Sequence, residues 1–123
     1  MARGKILVID DEIGAREFLR DFLEDRDFNV TIAEDGQAGV EIFEKDPSFD
    51  LILCDMLMPR MIGLQVLQRV KAIKPDQLLI LMTGVKDDSM KEKAKALGCH
   101  LYLTKPVQLT EVEARVLECF PDK

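Results

Sequence analysis

Three acids, a threonine and a lysine stand where apolar runs of this chain give out. Asp10-Asp11 follow Ile6 to Ile9, Asp55 follows Leu51 to Cys54, Thr83 follows Leu79 to Met82, and Lys105 closes the run that begins near Leu101. Short apolar runs bounded in this way read as buried strands. If the strands lie parallel, their carboxyl ends share one edge, which is where open α/β sheets bind ligands. Three carboxylates gathered there repel one another, and a hard divalent cation with oxygen ligands relieves the repulsion, magnesium being the natural candidate. Lys105 adds a compact positive charge and Thr83 a hydroxyl, the complement of a tetrahedral oxyanion such as a phosphoryl group. The set is suited to holding phosphate beside a carboxylate.

Each residue also has a purely structural reading. An acid pair before a helix caps it, a threonine after a strand starts a turn, a lysine before proline is solvated, and Asp55 can simply end its strand and wet the loop. What favours a site is the joint occurrence of acids, hydroxyl and lysine at the ends of four different strands.

The elements that must position them alternate along the chain. Strands are expected over Lys5 to Asp10, Val30 to Ala33, the run ending at Asp55, Gln77 to Met82 and His100 to Leu103. Helical spacing of apolar residues predicts helices from Glu12 to Arg26, from Asp35-Gly36 to Lys45, and from Leu64 to Ile73, the last ended by Pro75. A lysine-rich helix capped by Asp87 and Asp88 and closed by Gly98 follows, then a last helix from Thr110 to Cys119. The lysine-rich helix has the thinnest apolar stripe, Met90, Ala94 and Leu97, and is expected to be loosely held and able to shift. Gly39 should weaken the second helix by about 1 kcal/mol relative to alanine. Short βα connections imply a parallel sheet with helices on both faces and right-handed crossovers.

Composition narrows the function classes. At 123 residues with 47% hydrophobic content, the chain can bury a core as one domain without a metal or disulfide staple. A net charge of −6 and no basic patch argue against a nucleic-acid surface. Cys54, Cys99 and Cys119 are an odd, widely spaced set that suggests neither a disulfide framework nor a zinc site. The amino-terminal apolar run is too short for a signal peptide or a membrane span, so the cytoplasm is the expected compartment. His100 reads as a surface or partly packed residue, and Cys54, on the opposite side of its strand from Asp55, as core.

The segments Val8-Ile9-Asp10-Asp11-Glu12, Asp55 through Gly63, Met82-Thr83-Gly84 and Tyr102-Leu103-Thr104-Lys105-Pro106 resemble the receiver domains of two-component response regulators, over essentially the whole chain. The resemblance implies a flavodoxin-like fold, a five-stranded parallel sheet of order 2-1-3-4-5 with five helices on both faces, as a single receiver domain over residues 1–123. It implies Asp55 as phosphoacceptor, a magnesium ion held by Asp11, Asp55 and the backbone carbonyl of Leu57 with Asp10 supporting it through water, and Lys105 contacting the phosphoryl group. It further implies a histidine kinase or phosphotransfer protein as donor, and a downstream effector domain or protein as partner. Thr83 and Tyr102 would act as the switch that reshapes the face of the fourth helix, fifth strand and fifth helix, offering a partner or a second copy, as a phosphorylation-dependent homodimer, something to recognise. The same resemblance implies a signalling switch that catalyses only its own phosphoryl transfer and slow dephosphorylation. In the family, residues two after the acceptor and two after the threonine flank the approach of water to the phosphoryl group; here they are Leu57 and Val85.

Two departures stand out. Ile62 occupies a position where the family commonly has an acid, and Val107 one where phenylalanine often follows the lysine and proline. The Lys105-Pro106 bond is often cis in the family, which would point the lysine into the site. A metal-dependent phosphohydrolase and a flavin carrier are the alternative classes. The first lacks a second acid two residues after the nucleophile, where Leu57 stands, and the second lacks a glycine-rich phosphate loop after the first strand. Nothing follows the last helix except Pro121-Asp122-Lys123, so the chain is read either as a single-domain regulator or as a receiver cut from a longer protein.

Overall fold

The computed structural model describes residues 3–84 and 87–120. In order it forms β1 (Lys5–Ile9), α1 (Ile13–Glu24), β2 (Asn29–Ala33), α2 (Gly36–Lys45), β3 (Leu51–Asp55), α3 (Gly63–Ile73), β4 (Leu78–Thr83), α4 (Asp88–Ala96), β5 (Leu101–Thr104) and α5 (Leu109–Glu118). All strand pairs are parallel, in the sheet order β2-β1-β3-β4-β5. The order and element count follow the expectation. The boundaries differ by one or two residues, and one shift matters: β4 runs on through Thr83, which pairs with Thr104 as the last rung beside β5.

Strand alternation divides the core in two. Ile6, Val8, Leu51, Leu53, Ile80 and Met82 face α1 and α5, together with Leu19, Leu23, Val112 and Val116. Leu7, Ile9, Ile52, Cys54, Leu79 and Leu81 face the other way, onto Val40 and Phe43 of α2, Val66, Leu67 and Val70 of α3, and Ala94 of α4. Both faces of β1 and β3 are sealed, which is why their sequences are continuously apolar.

Local chemistry sets the connections. Asp35 caps α2 by accepting from the Ala38 amide at 2.8 Å, and Asp87 caps α4 by accepting from Ser89 and Met90. Gly98, at φ 94°, closes the turn after α4, as glycine there must. Gly39 has a reason to be glycine: a Cβ would run into the Ile9 side chain, so close packing of α2 on β1 offsets the intrinsic helix penalty. Helix α4 buries Ala94 alone among its described residues, against four residues each in α2 and α3, in line with its thin apolar stripe. No helix of the described residues is long and apolar enough to cross a membrane.

Candidate functional site

The strand ends assemble one polar cluster. Parity carries Asp10 and Asp55 past the ends of their apolar runs on the α1/α5 side of the sheet, the side of Val8 and Leu53. Carboxylate oxygens of Asp10, Asp11 and Asp55 all lie within 4.8 Å of one another. Asp10 is 2% and Asp55 8% exposed, whereas Asp11 opens to solvent. Lys105 reaches in from the end of β5, its ammonium 3.2 Å from Asp55 Oδ1 and 4.0 Å from Asp10 Oδ2. The Lys105-Pro106 peptide is cis.

Among the described residues one cation, Lys105, is paired with these carboxylates, and burial adds to the imbalance. Burial pushes the Asp55 carboxyl above its ordinary value; Lys105 opposes that rise, and the negative charges of Asp10 and Asp11 reinforce it. The residual negative charge and the all-oxygen donor set fit a hard divalent cation, whose binding would relieve the repulsion.

The loop after Asp55 is held from several sides. The Met56 amide donates to Met82 O at 2.8 Å, extending the β3–β4 ladder one step beyond Asp55, and the Gly63 amide donates to Met56 O at 2.7 Å. A Cβ on Gly63 would lie 2.7 Å from Leu81 Cδ2 and 2.8 Å from Asp55 O, so only glycine lets α3 start this close to the strand end. Arg60, at φ 69°, pairs with Asp35 at 3.1 Å and ties this loop to the one before α2. Leu57, two residues after Asp55, is exposed. Ile62, in the position the family usually gives to an acid, offers α3 no side-chain cap; instead its amide donates to Gln65 Oε1 at 3.0 Å.

Thr83 and Tyr102 occupy the other face. Thr83 is buried, with the parity of Leu79 and Leu81, and its carbonyl accepts from the Lys105 amide at 2.6 Å. Tyr102 is the strand partner of Leu81 and packs with the α2–α4 side of the core. Its hydroxyl is buried without a well-formed hydrogen bond, although Thr83 lies near enough to ease its ionisation. Burial dominates and holds the phenol above its ordinary value, with the Asp87 charge adding to the rise. Val85 lies outside the described residues. Cys54 is fully buried in the core opposite Asp55, and burial raises its thiol far from any reactive range. His100 is exposed at the far end of β5.

One residue at the site went unnoticed in the sequence. Arg16, in the second turn of α1, donates from Nη1 to the backbone carbonyl of Asp10 at 2.9 Å. The available signal was weak: a basic residue six positions after the first acid, on a helix that packs over the strand carrying it. On the same side, Asp10, Ala15, Phe18, Leu19, Met82, Lys105, Pro106, Val107, Leu109 and Val112 enclose an open apolar cavity of 570 Å³. Phe18 on its wall is 57% exposed, and Ile13, the first residue of α1, is 61% exposed.

Comparison with known proteins gives a consistent set of similarities. A family model described as the response regulator receiver domain matches residues 6–117. The chain is 31% identical over 123 residues to sporulation initiation phosphotransferase F of Bacillus subtilis, covering 100% of this chain and 98% of that protein. It is 32% identical over 112 residues to the transcriptional regulatory protein DltR of Streptococcus agalactiae, covering 91% of this chain but only 50% of that protein. The chain thus spans about half the length of such regulators. Among solved structures, a response regulator receiver domain protein from Clostridium thermocellum matches with a TM-score of 0.90 at 31% identity, over 96% of this chain and 94% of that one. The phosphohydrolase and flavin-carrier alternatives are not favoured by these similarities.

Proposed function

The chain belongs to the response regulator receiver domain family, and from that premise we propose that it accepts a phosphoryl group on Asp55 and changes shape in response. The observation that carries the reading is the Lys105 ammonium 3.2 Å from Asp55 Oδ1, within a cluster of three carboxylates. An Asp55 oxygen attacks phosphorus in line with the bond to the leaving group, an oxygen–phosphorus bond forms, and the phosphorus–nitrogen bond of a phosphohistidine donor breaks, the imidazole leaving with the electron pair and taking up a proton. Lys105 offsets charge on the phosphoryl oxygens, and the Thr83 hydroxyl turns to donate to one of them. Asp11, Asp55 and the Leu57 carbonyl, with Asp10 behind, would hold a magnesium ion, which when bound would further neutralise charge on those oxygens.

The exposed Phe18 and the open apolar cavity it lines support a protein donor, a histidine kinase or phosphotransfer protein that covers this surface while presenting its histidine. The output reading is that Thr83 moves toward the new phosphoryl group and Tyr102 readjusts beside it. The face of α4, β5 and α5 is thereby offered to an effector domain, a separate effector protein or a second copy. We read residues 1–123 as one receiver module.

Phosphoramidate, a small donor with the same phosphorus–nitrogen bond, tests the chemistry without a cognate kinase. With magnesium the protein should gain one phosphoryl group that hydroxylamine removes, as it does from acyl phosphates. No gain, or a hydroxylamine-resistant product, defeats the reading.

A further inference from the structure

Asp10 is held at every polar atom. Its amide donates to Ala33 O at 3.2 Å, its Oδ1 accepts from the Glu12 amide at 3.0 Å, and its Oδ2 faces Lys105 at 4.0 Å. Its carbonyl, like its amide, faces the β2 side and lies one residue past the last β1–β2 pair, Ile9 with Ala33. A buried carbonyl without a partner is costly, and Arg16 supplies one at 2.9 Å.

That carbonyl belongs to the peptide plane joining Asp10 to Asp11. Fixing it fixes the direction in which the chain leaves Asp10, and hence where the exposed Asp11 carboxylate projects. Arg16 is placed for this by helix geometry: its own amide donates to Glu12 O at 3.0 Å, closing the first turn of α1, and its side chain then reaches back toward the strand end. A guanidinium aimed at a carbonyl gives a charge-assisted bond from a rigid planar donor, which specifies orientation as well as contact.

We infer that Arg16 is a positioning residue for the metal-binding acids, acting through the Asp10-Asp11 peptide, in the manner of outer-shell partners that orient metal ligands. The inference rests on the reading of Asp10, Asp11 and Asp55 as the magnesium site. Loss of such a partner lowers metal affinity by roughly 10- to 100-fold, and the exposed Asp11 puts the expectation at the lower end.

The test is magnesium affinity by titration calorimetry, with thermal stability measured alongside. Arg16→Met keeps the aliphatic stem and removes the donor; its magnesium Kd should rise about tenfold. Arg16→Lys keeps a cationic donor without the planar fork and should fall between Arg16→Met and wild type. Arg20→Ala removes the same charge one turn further along α1, where Arg20 pairs with Asp21, and should leave the Kd unchanged. A wild-type Kd in Arg16→Met, even with a lowered melting point, makes Arg16 merely structural and overturns the inference. An equal weakening in Arg20→Ala also overturns it, because general charge and not the carbonyl contact would then be responsible. If Arg16→Met does not fold, Arg16→Lys decides: weaker binding than wild type supports the inference, and equal binding sinks it. Wild type that binds no magnesium, or binds it no better than Asp11→Asn, removes the metal site itself and the inference with it.

Discussion

Lys105 and Asp55, 50 residues apart in sequence, meet at 3.2 Å on the carboxyl edge of the sheet. The contact only partly balances the site, because burial and the charges of Asp10 and Asp11 still hold the Asp55 carboxyl above its ordinary value. A carboxyl raised in the folded state contributes stability that is complete below its unfolded value, about 3.9, and is lost as the pH rises through the raised folded value. Asp55→Asn should therefore melt above wild type at neutral pH without metal, and the gap should close as the pH falls toward about 4. Thermal melts across that range check this. Equal midpoints at neutral pH would mean that Asp55 is not destabilised by its surroundings.

Glycine substitutions separate the close approach behind Asp55 from ordinary helix effects. A Cβ at position 63 would press on Leu81 at 2.7 Å and on the Asp55 carbonyl at 2.8 Å. Gly63→Ala should cost about 1–3 kcal/mol and slow phosphorylation by displacing the loop after the acceptor. Gly14→Ala, where a Cβ meets only Glu12 at 3.7 Å, should instead stabilise α1 by roughly 0.4–1 kcal/mol. Denaturant unfolding of the two variants should give opposite signs. A Gly63→Ala variant as stable as wild type would mean that α3 can shift away at little cost.

Switching should be visible on α4. Among its described residues Ala94 alone is fully buried, so a shift of α4 on phosphorylation would have little packing to overcome. Amide exchange before and after phosphorylation should differ on α4 and around Tyr102, while α2, which buries Val40 and Phe43, should stay the same. An unchanged α4 would rule out the proposed output face.

The lifetime of the phosphorylated state is a separate question. Leu57 is 46% exposed and its side chain offers no group to orient a water, and Val85 is an apolar residue in the family position two after the threonine. The double variant Leu57→Asn, Val85→Glu should dephosphorylate faster than wild type in excess magnesium, by about tenfold or more if it gains general-base or water-positioning ability. Equal decay rates would remove any role for these two side chains.

Much of this was legible in the sequence because a parallel sheet converts one-dimensional punctuation into a shared edge. Where the apolar runs gave out at Asp10, Asp55 and Thr83, the strands ended within a residue, and topology gathered the ends. Parity also separated Cys54 from Asp55 correctly. What escaped depends on side-chain reach and three-dimensional closeness. Arg16 contacts a backbone carbonyl, which leaves no pattern in residue types. Thr83 reads as the start of a turn, yet it is the last rung of β4, since β5 continues beside it to Thr104. The buried hydroxyl of Tyr102 depends on packing against the α2–α4 core, which no spacing rule along β5 encodes.

The acceptor assignment is the central claim, and intact-mass measurement addresses it directly. Wild type, Asp55→Asn and Asp10→Asn are incubated with a small acyl phosphate and magnesium, and the mass of each is followed over time. Wild type should gain one phosphoryl group, Asp10→Asn should gain it more slowly, and Asp55→Asn, equal in size but without the anionic nucleophile, should gain none. Asp55→Asn gaining one phosphoryl group at the wild-type rate would contradict the account.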